Sequence, residues 1–103
     1  MFKEQLLKEI LEFTEKKRRL YFTYEEFLVY LYYRYRGNGI SFGSIMRKLR
    51  ILARQGYLYR KYITDKEWGF TRKVVFYANL PAIKATLRGI RLQKIDSFIR
   101  GGR

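Results

Sequence analysis

Ile40-Ser41-Phe42-Gly43-Ser44-Ile45-Met46-Arg47-Lys48-Leu49-Arg50-Ile51-Leu52-Ala53-Arg54-Gln55-Gly56-Tyr57-Leu58 is the stretch that decides how the rest of the chain is read. Ser41 has the chemistry of an N-cap, since its hydroxyl can accept from the free N–H groups of a first helical turn. Gly56 falls where a helix ends in the left-handed conformation that glycine adopts cheaply. Between them, helical spacing collects Phe42, Ile45, Met46, Leu49, Leu52 and Ala53 on one face. The opposite face carries Ser44, Arg47, Lys48, Ile51 and Arg54, with Arg50 at its edge. A helix anchored on one apolar side and presenting arginines on the other has the form of a helix that lies in a DNA major groove. An ordinary amphipathic helix with solvated charges has the same pattern, so the surrounding charge must decide.

From Phe27 through Thr64 there is no Asp or Glu, while Arg34, Arg36, Arg47, Lys48, Arg50, Arg54, Arg60 and Lys61 all fall inside. A solvated helix face normally mixes signs, because i,i+4 ion pairs support it. Here the missing anions point to a ligand, and phosphates supply them. The same stretch resembles the recognition-helix segment of PadR-like winged-helix regulators. Ser41, Gly43, Ser44, Ile45, Leu49, Leu52, Gly56 and Leu58 match that segment identically or conservatively. Phe42 stands where the family has proline, Met46 where it has tyrosine, and Ala53-Arg54-Gln55 where an acidic run is usual. The resemblance implies a winged fold that binds duplex DNA and dimerises through a helix after the wing.

Composition sets the outer bounds. The chain has 103 residues, a net charge of +14 and a pI near 10.2, which attracts nucleic acid or an anionic surface. At 48% hydrophobic and 31% charged it is globular in composition, and its length suits one domain over 1–103. No run approaches the roughly 18 apolar residues of a membrane span. With no Cys, no His and no signal-peptide layout at Met1-Phe2-Lys3-Glu4-Gln5, the expectation is a cytoplasmic protein without a metal or other cofactor. Imidazole-based hydrolytic chemistry is excluded on the same ground. A nuclease would need clustered carboxylates for a divalent cation, and Asp65 with Glu67 is the one close pair in the basic half. The expectation is therefore not an enzyme, and no small-molecule site is evident.

Working outward, residues 3–18 read as a helix with Leu6, Leu7, Ile10 and Leu11 inward and charges of both signs outward. Six of nine acids precede Phe27, so this helix should face away from DNA. Leu20-Tyr21-Phe22 is a candidate short strand. Thr23 with Glu26 forms a capping box for a second helix from Tyr24 to about Tyr35. Tyr24, Phe27, Leu28, Leu31 and Tyr35 line its core side, while Val29, Tyr30 and Tyr33 make the reverse apolar too. Arg36-Gly37-Asn38-Gly39 is the turn of a helix-turn-helix. Tyr57–Ile63 and Arg72–Leu80 are β-rich runs joined by a long hairpin loop, which together form a wing. Arg60, Lys61, Lys66, Arg72 and Lys73 are the expected backbone contacts there, and Trp68 and Phe70 are expected to fold back over the loop. Pro81 opens a last helix. Its stripes, Ile83-Leu87-Ile90 and Leu92-Ile95-Phe98-Ile99, meet near Gly89, and 99–103 reads as a basic tail.

The expected fold is thus α+β, mainly α: a winged helix-turn-helix with a two-stranded wing over 1–80 and a dimerisation helix over 81–100. Base reading falls to Ser44, Arg47, Lys48, Arg50, Ile51 and Arg54, because arginine can address guanine O6 and N7 together. Val29, Tyr33, Ile83, Leu87, Ile90, Ile95 and Phe98 are the expected interface of a homodimer. The expected function is sequence-specific duplex DNA binding, in the manner of a transcriptional regulator. The alternative is a DNA-coating or plasmid-partition protein that spreads by protein–protein contacts, since small, basic, Tyr-rich winged helices of this style resemble proteins of archaeal plasmids and viruses. RNA remains open as a ligand, because exposed tyrosines can stack on unpaired bases.

Overall fold

The computed structural model describes the backbone of residues 1–65 and 71–101, and the side chains of 1–63 and 73–91. Among the described residues four helices and three strands follow in the order α1 (Lys3–Lys17), β1 (Tyr21–Thr23), α2 (Tyr24–Arg34), α3 (Phe42–Arg54), β2 (Leu58–Asp65), β3 (Thr71–Ala78) and α4 (Leu80–Gly101). The class is α+β and mainly helical.

The strands form one antiparallel sheet in the order β1-β3-β2. Its centre is therefore the last strand in sequence. β2 and β3 pair from Leu58↔Ala78 out to Asp65↔Thr71, and β1 adds Tyr21↔Tyr77, Phe22↔Phe76 and Thr23↔Val75. Because side chains alternate along a strand, this register puts Phe22, Phe76, Ala78 and Leu58 on one face. All four are buried.

The core closes on that face. Leu6, Leu7, Ile10 and Phe13 of α1, Phe27 and Leu31 of α2, and Ile45, Leu49 and Leu52 of α3 pack onto it. Phe13 stands edge-on to both Phe22 and Phe27, each at 5.7 Å between centroids, and Phe22 stacks on Phe76 at 5.8 Å. Each such burial contributes about 1.5–3 kcal/mol relative to exposure.

Local chemistry sets the helix ends. The Thr23 hydroxyl accepts from Glu26 N–H at 3.3 Å, but the Glu26 carboxylate turns to Arg19, so the capping box is one-sided. Ser41 accepts from Ser44 N–H at 3.5 Å. At the other end of α3, Tyr57 N–H donates to Leu52 O and Gly56 N–H to Ala53 O, with Gly56 at φ +88°. That pair of bonds is a Schellman motif, and its left-handed residue is the glycine expected there. Asn79 joins the two ends of the hairpin to α4: its side-chain amide donates to Gly56 O at 3.0 Å and its Oδ1 accepts from Ala82 N–H at 3.4 Å.

Three expectations are corrected. Ile83 is fully buried in the core of its own chain, so Ile83 itself is not free for a partner. Phe42 is half exposed, with its ring edge-on to Tyr32 at 6.4 Å; the first turn of α3 overhangs the core. Finally, α4 runs through Gly89 and continues to Gly101, so the part of the basic tail at 99–101 is helical.

Candidate nucleic-acid interface

α3 is held by its caps and by Ile45, Leu49 and Leu52, which fixes what its other side presents. Arg47, Arg50 and Arg54 are exposed there, and Ile51 is 42% exposed between them. None of the three arginines makes a hydrogen bond or ion pair among the described residues. Ser44 is half-buried and its N–H serves the cap. Lys48 sits apart from the arginines: it is half-buried, and its ammonium donates to the Met1 carbonyl. Lys48 also lies against the Met1 amine, and its side-chain hydrogen bonding there and then its charge push that amine below its ordinary value.

The hairpin separates residues that the sequence reading treats as one group. Arg60 and Tyr62 lie on the sheet face that carries Phe76 and Val74, the face toward the helices. The Arg60 guanidinium stands 5.3 Å over the Tyr62 ring. Lys61 and Lys73 lie on the opposite face, where the Lys61 ammonium stands 5.3 Å over Tyr77. The two sets of cations therefore cannot approach one duplex in the same way. Arg72 pairs with Thr64 through its backbone, and its side chain lies outside the described residues, as do Lys66, Trp68 and Phe70.

The other half of the chain handles charge differently. Glu9 is buried at 4% exposure; the Tyr35 hydroxyl donates to it at 2.7 Å and Arg34 Nε at 2.9 Å. Arg34 also reaches Glu12 at 2.7 Å, Lys8 pairs with Glu4 at 3.4 Å, and Arg19 pairs with Glu26. Burial and the bond to Glu9 both push the Tyr35 phenol up, since the carboxylate favours the protonated hydroxyl. All of these ion pairs lie in α1, the α1–β1 link or α2, and none of them involves α3.

Val29 and Tyr33, on the reverse of α2, are 52% and 76% exposed. They border an open groove of about 780 Å³ between α1 and α2, floored by Phe13 and Tyr30 and rimmed by Lys16, Lys17, Glu25 and Glu26. Leu87 and Ile90 are half-buried, and the side chains of Ile95 and Phe98 lie outside the described residues. Sequence reading does not single out the outer sheet face, where Tyr21 and Tyr59 are exposed beside Tyr77. Its signal is cross-strand register, which no local pattern carries.

No group of three metal-ligating side chains occurs among the described residues, and no helix there is long and apolar enough to cross a membrane. No family model, no curated protein and no solved structure matches this chain.

Proposed function

We propose that this chain is a winged-helix protein that binds duplex DNA as a homodimer, reading sequence as a small transcriptional regulator does. α2, the turn at 35–41 and α3 would be its helix-turn-helix, and β2–β3 its wing. The observation that carries this reading is the α3 face: Arg47, Arg50 and Arg54 are exposed without an ion pair on a helix that has no acid in its length, whereas Arg19 and Arg34 are held by carboxylates. Arg47 and Arg54 are two turns apart on one side, so both can reach base edges from a helix in the major groove. Ile51 between them suits a thymine methyl. Arg60, on the helix-facing side of the wing, would position the backbone. Lys61 and Lys73, on the far side, would contribute to the field more than to contact.

The open groove beside Val29 and Tyr33 supports protein–protein contact in the dimer. It equally supports the second reading, a coat or partition protein that spreads along DNA. Footprinting on fragments selected from a genomic library separates them. A short protected site that stays fixed as protein is added supports the regulator. Protection that lengthens with concentration supports spreading, and no protection of any duplex overturns both.

A further inference from the structure

The outer face of the sheet carries a row of three tyrosines, one from each strand. Tyr21 is opposite Tyr77, and Tyr77 is opposite Tyr59, in the antiparallel register. Their neighbours in the chain, Phe22, Phe76 and Leu58, point into the core, so the tyrosines are fixed on the solvent side by the pleat. Tyr21 and Tyr59 are 45% and 57% exposed, Tyr77 is half-buried between them, and the Tyr21 and Tyr77 rings lie 5.9 Å apart. A sheet face open to water normally carries polar residues at such positions. Here it carries rings, with Ile63 at 44% exposure farther along.

The cations around the row are placed over it. The Arg19 guanidinium stands 4.9 Å over Tyr21 and the Lys61 ammonium 5.3 Å over Tyr77. Lys73 shares the face, and Tyr21–Thr23, Tyr59–Ile63 and Lys73–Tyr77 contain no carboxylate. Arg19 is also the partner of Glu26, so it is anchored at the rim of the row.

We propose that this face is a second binding surface, distinct from α3, that takes unpaired nucleotides of single-stranded nucleic acid. Bases stack on the tyrosines, and Lys61 and Lys73 meet the phosphates, with Arg19 held by Glu26 at the rim. Stacking platforms with adjacent cations bind single strands with little sequence preference, because every base has a π-face. A duplex, whose bases are already stacked on one another, gains nothing from the rings. Strands are spaced about 4.8 Å apart, so the row offers successive rings on the scale of successive bases. The exposed cation–π contact of Lys61 is weak enough to yield to a base, which frees the cation for the phosphate.

The test is anisotropy titration of the full chain with labelled oligothymidine and oligouridine of about 12 nucleotides, within the ~4–16 covered by one single-strand-binding domain. A duplex of equal length is run beside them. Tyr59→Leu keeps an apolar strand residue and removes the ring; Tyr59→Phe keeps the ring and removes the hydroxyl. Tyr59→Leu is expected to weaken single-strand binding roughly 5- to 150-fold, the range of one base stack, with duplex binding unchanged. Tyr59→Phe is expected to bind as the parent does, and Arg47→Ala to leave single-strand binding intact. Binding of either oligomer supports the surface, and the tighter one identifies the sugar. The inference is overturned if neither oligomer binds, if Tyr59→Leu equals the parent, or if Tyr59→Phe falls as far as Tyr59→Leu. It is also overturned if Arg47→Ala weakens the oligomers as much as the duplex. Loss of duplex binding alone would sink the α3 reading and leave this one standing.

Discussion

α2 and α3 are consecutive helices of similar length that bury one face each in the same core, yet their other faces differ. In the N-terminal half three cations are met by carboxylates: Arg34 is shared by Glu9 and Glu12, Arg19 holds Glu26, and Lys8 holds Glu4. α3 has Arg47, Arg50 and Arg54 in open solvent and no acid within its length. The contrast teaches that exposed charge is not uniform in meaning. Where a carboxylate is in reach, an arginine is a strut between elements. Where none is, the folded chain leaves the charge to be met from outside, and a polyanion meets several at once.

The largest expected effect follows from the excess of cations over acids in α3 and the hairpin. If one dimer makes about 6–10 phosphate contacts, duplex affinity should fall roughly 10³- to 10⁵-fold between 50 and 200 mM salt. Titration across that range gives a steep log–log slope. A nearly flat response would break the comparison, because the cations of α3 and the hairpin would then be solvated decoration.

Next in size is the reverse of α2. Tyr33→Asp places a charge at a 76% exposed ring bordering the apolar groove. If that ring is a central anchor of the dimer, self-association should weaken by about 2 kcal/mol or more. Sedimentation should show a monomer where the parent is a dimer, with the fold unchanged by circular dichroism. A parent chain that is already monomeric at micromolar concentration would remove the dimer from the account.

A third experiment sharpens the contrast within the monomer. Glu9→Gln should cost about 1.5–3 kcal/mol of stability, because a buried carboxylate that accepts from Arg34 and Tyr35 loses its charge-assisted bonds. Arg54→Ala should change stability by no more than about 0.5 kcal/mol, as exposed substitutions generally do. Urea unfolding measures both. The pairing also has a pH signature. The Tyr35 phenol is pushed up in the folded state, so its contribution is whole below the ordinary tyrosine value and declines as pH rises through the raised one. Tyr35→Phe should remove that part of the alkaline decline. Equal stability losses from Glu9→Gln and Arg54→Ala would mean that the two halves use charge alike.

How much of this was legible in the sequence depends on how local each feature is. Thr23, Ser41 and Gly56 act where their chemistry says, because caps are decided within one turn of chain. Helical spacing likewise identifies Ile45, Leu49 and Leu52 as the buried side of α3. Phe42 has the same spacing and is half exposed, since periodicity tells which way a residue points but not whether anything lies there. The sheet order is a long-range fact: three residues of β1 select β3, some fifty positions away, and no local pattern names the partner. The candidate site divides in the same way. The α3 arginines follow from helix geometry, whereas the split of Arg60 from Lys61 and the tyrosine row require the register. Lys48 illustrates the remainder, because its partner is the carbonyl of Met1 at the far end of α1. Ile83 is taken into the core by α4 folding back on α1, a contact its stripe alone does not distinguish from a dimer seam.

The central claim is that α3 reads bases while the hairpin positions the backbone. Its most direct test is the affinity of Arg47→Ala and Arg60→Ala for the preferred duplex and for random duplex, at two salt concentrations. Arg47→Ala should lose about 1–3 kcal/mol on the preferred site, if it makes a bidentate pair, and distinctly less on random DNA. Arg60→Ala should weaken both duplexes alike and lower the salt slope by about one contact. If Arg47→Ala instead gives the same uniform loss as Arg60→Ala, α3 is only a charged face, and sequence reading by this helix is contradicted.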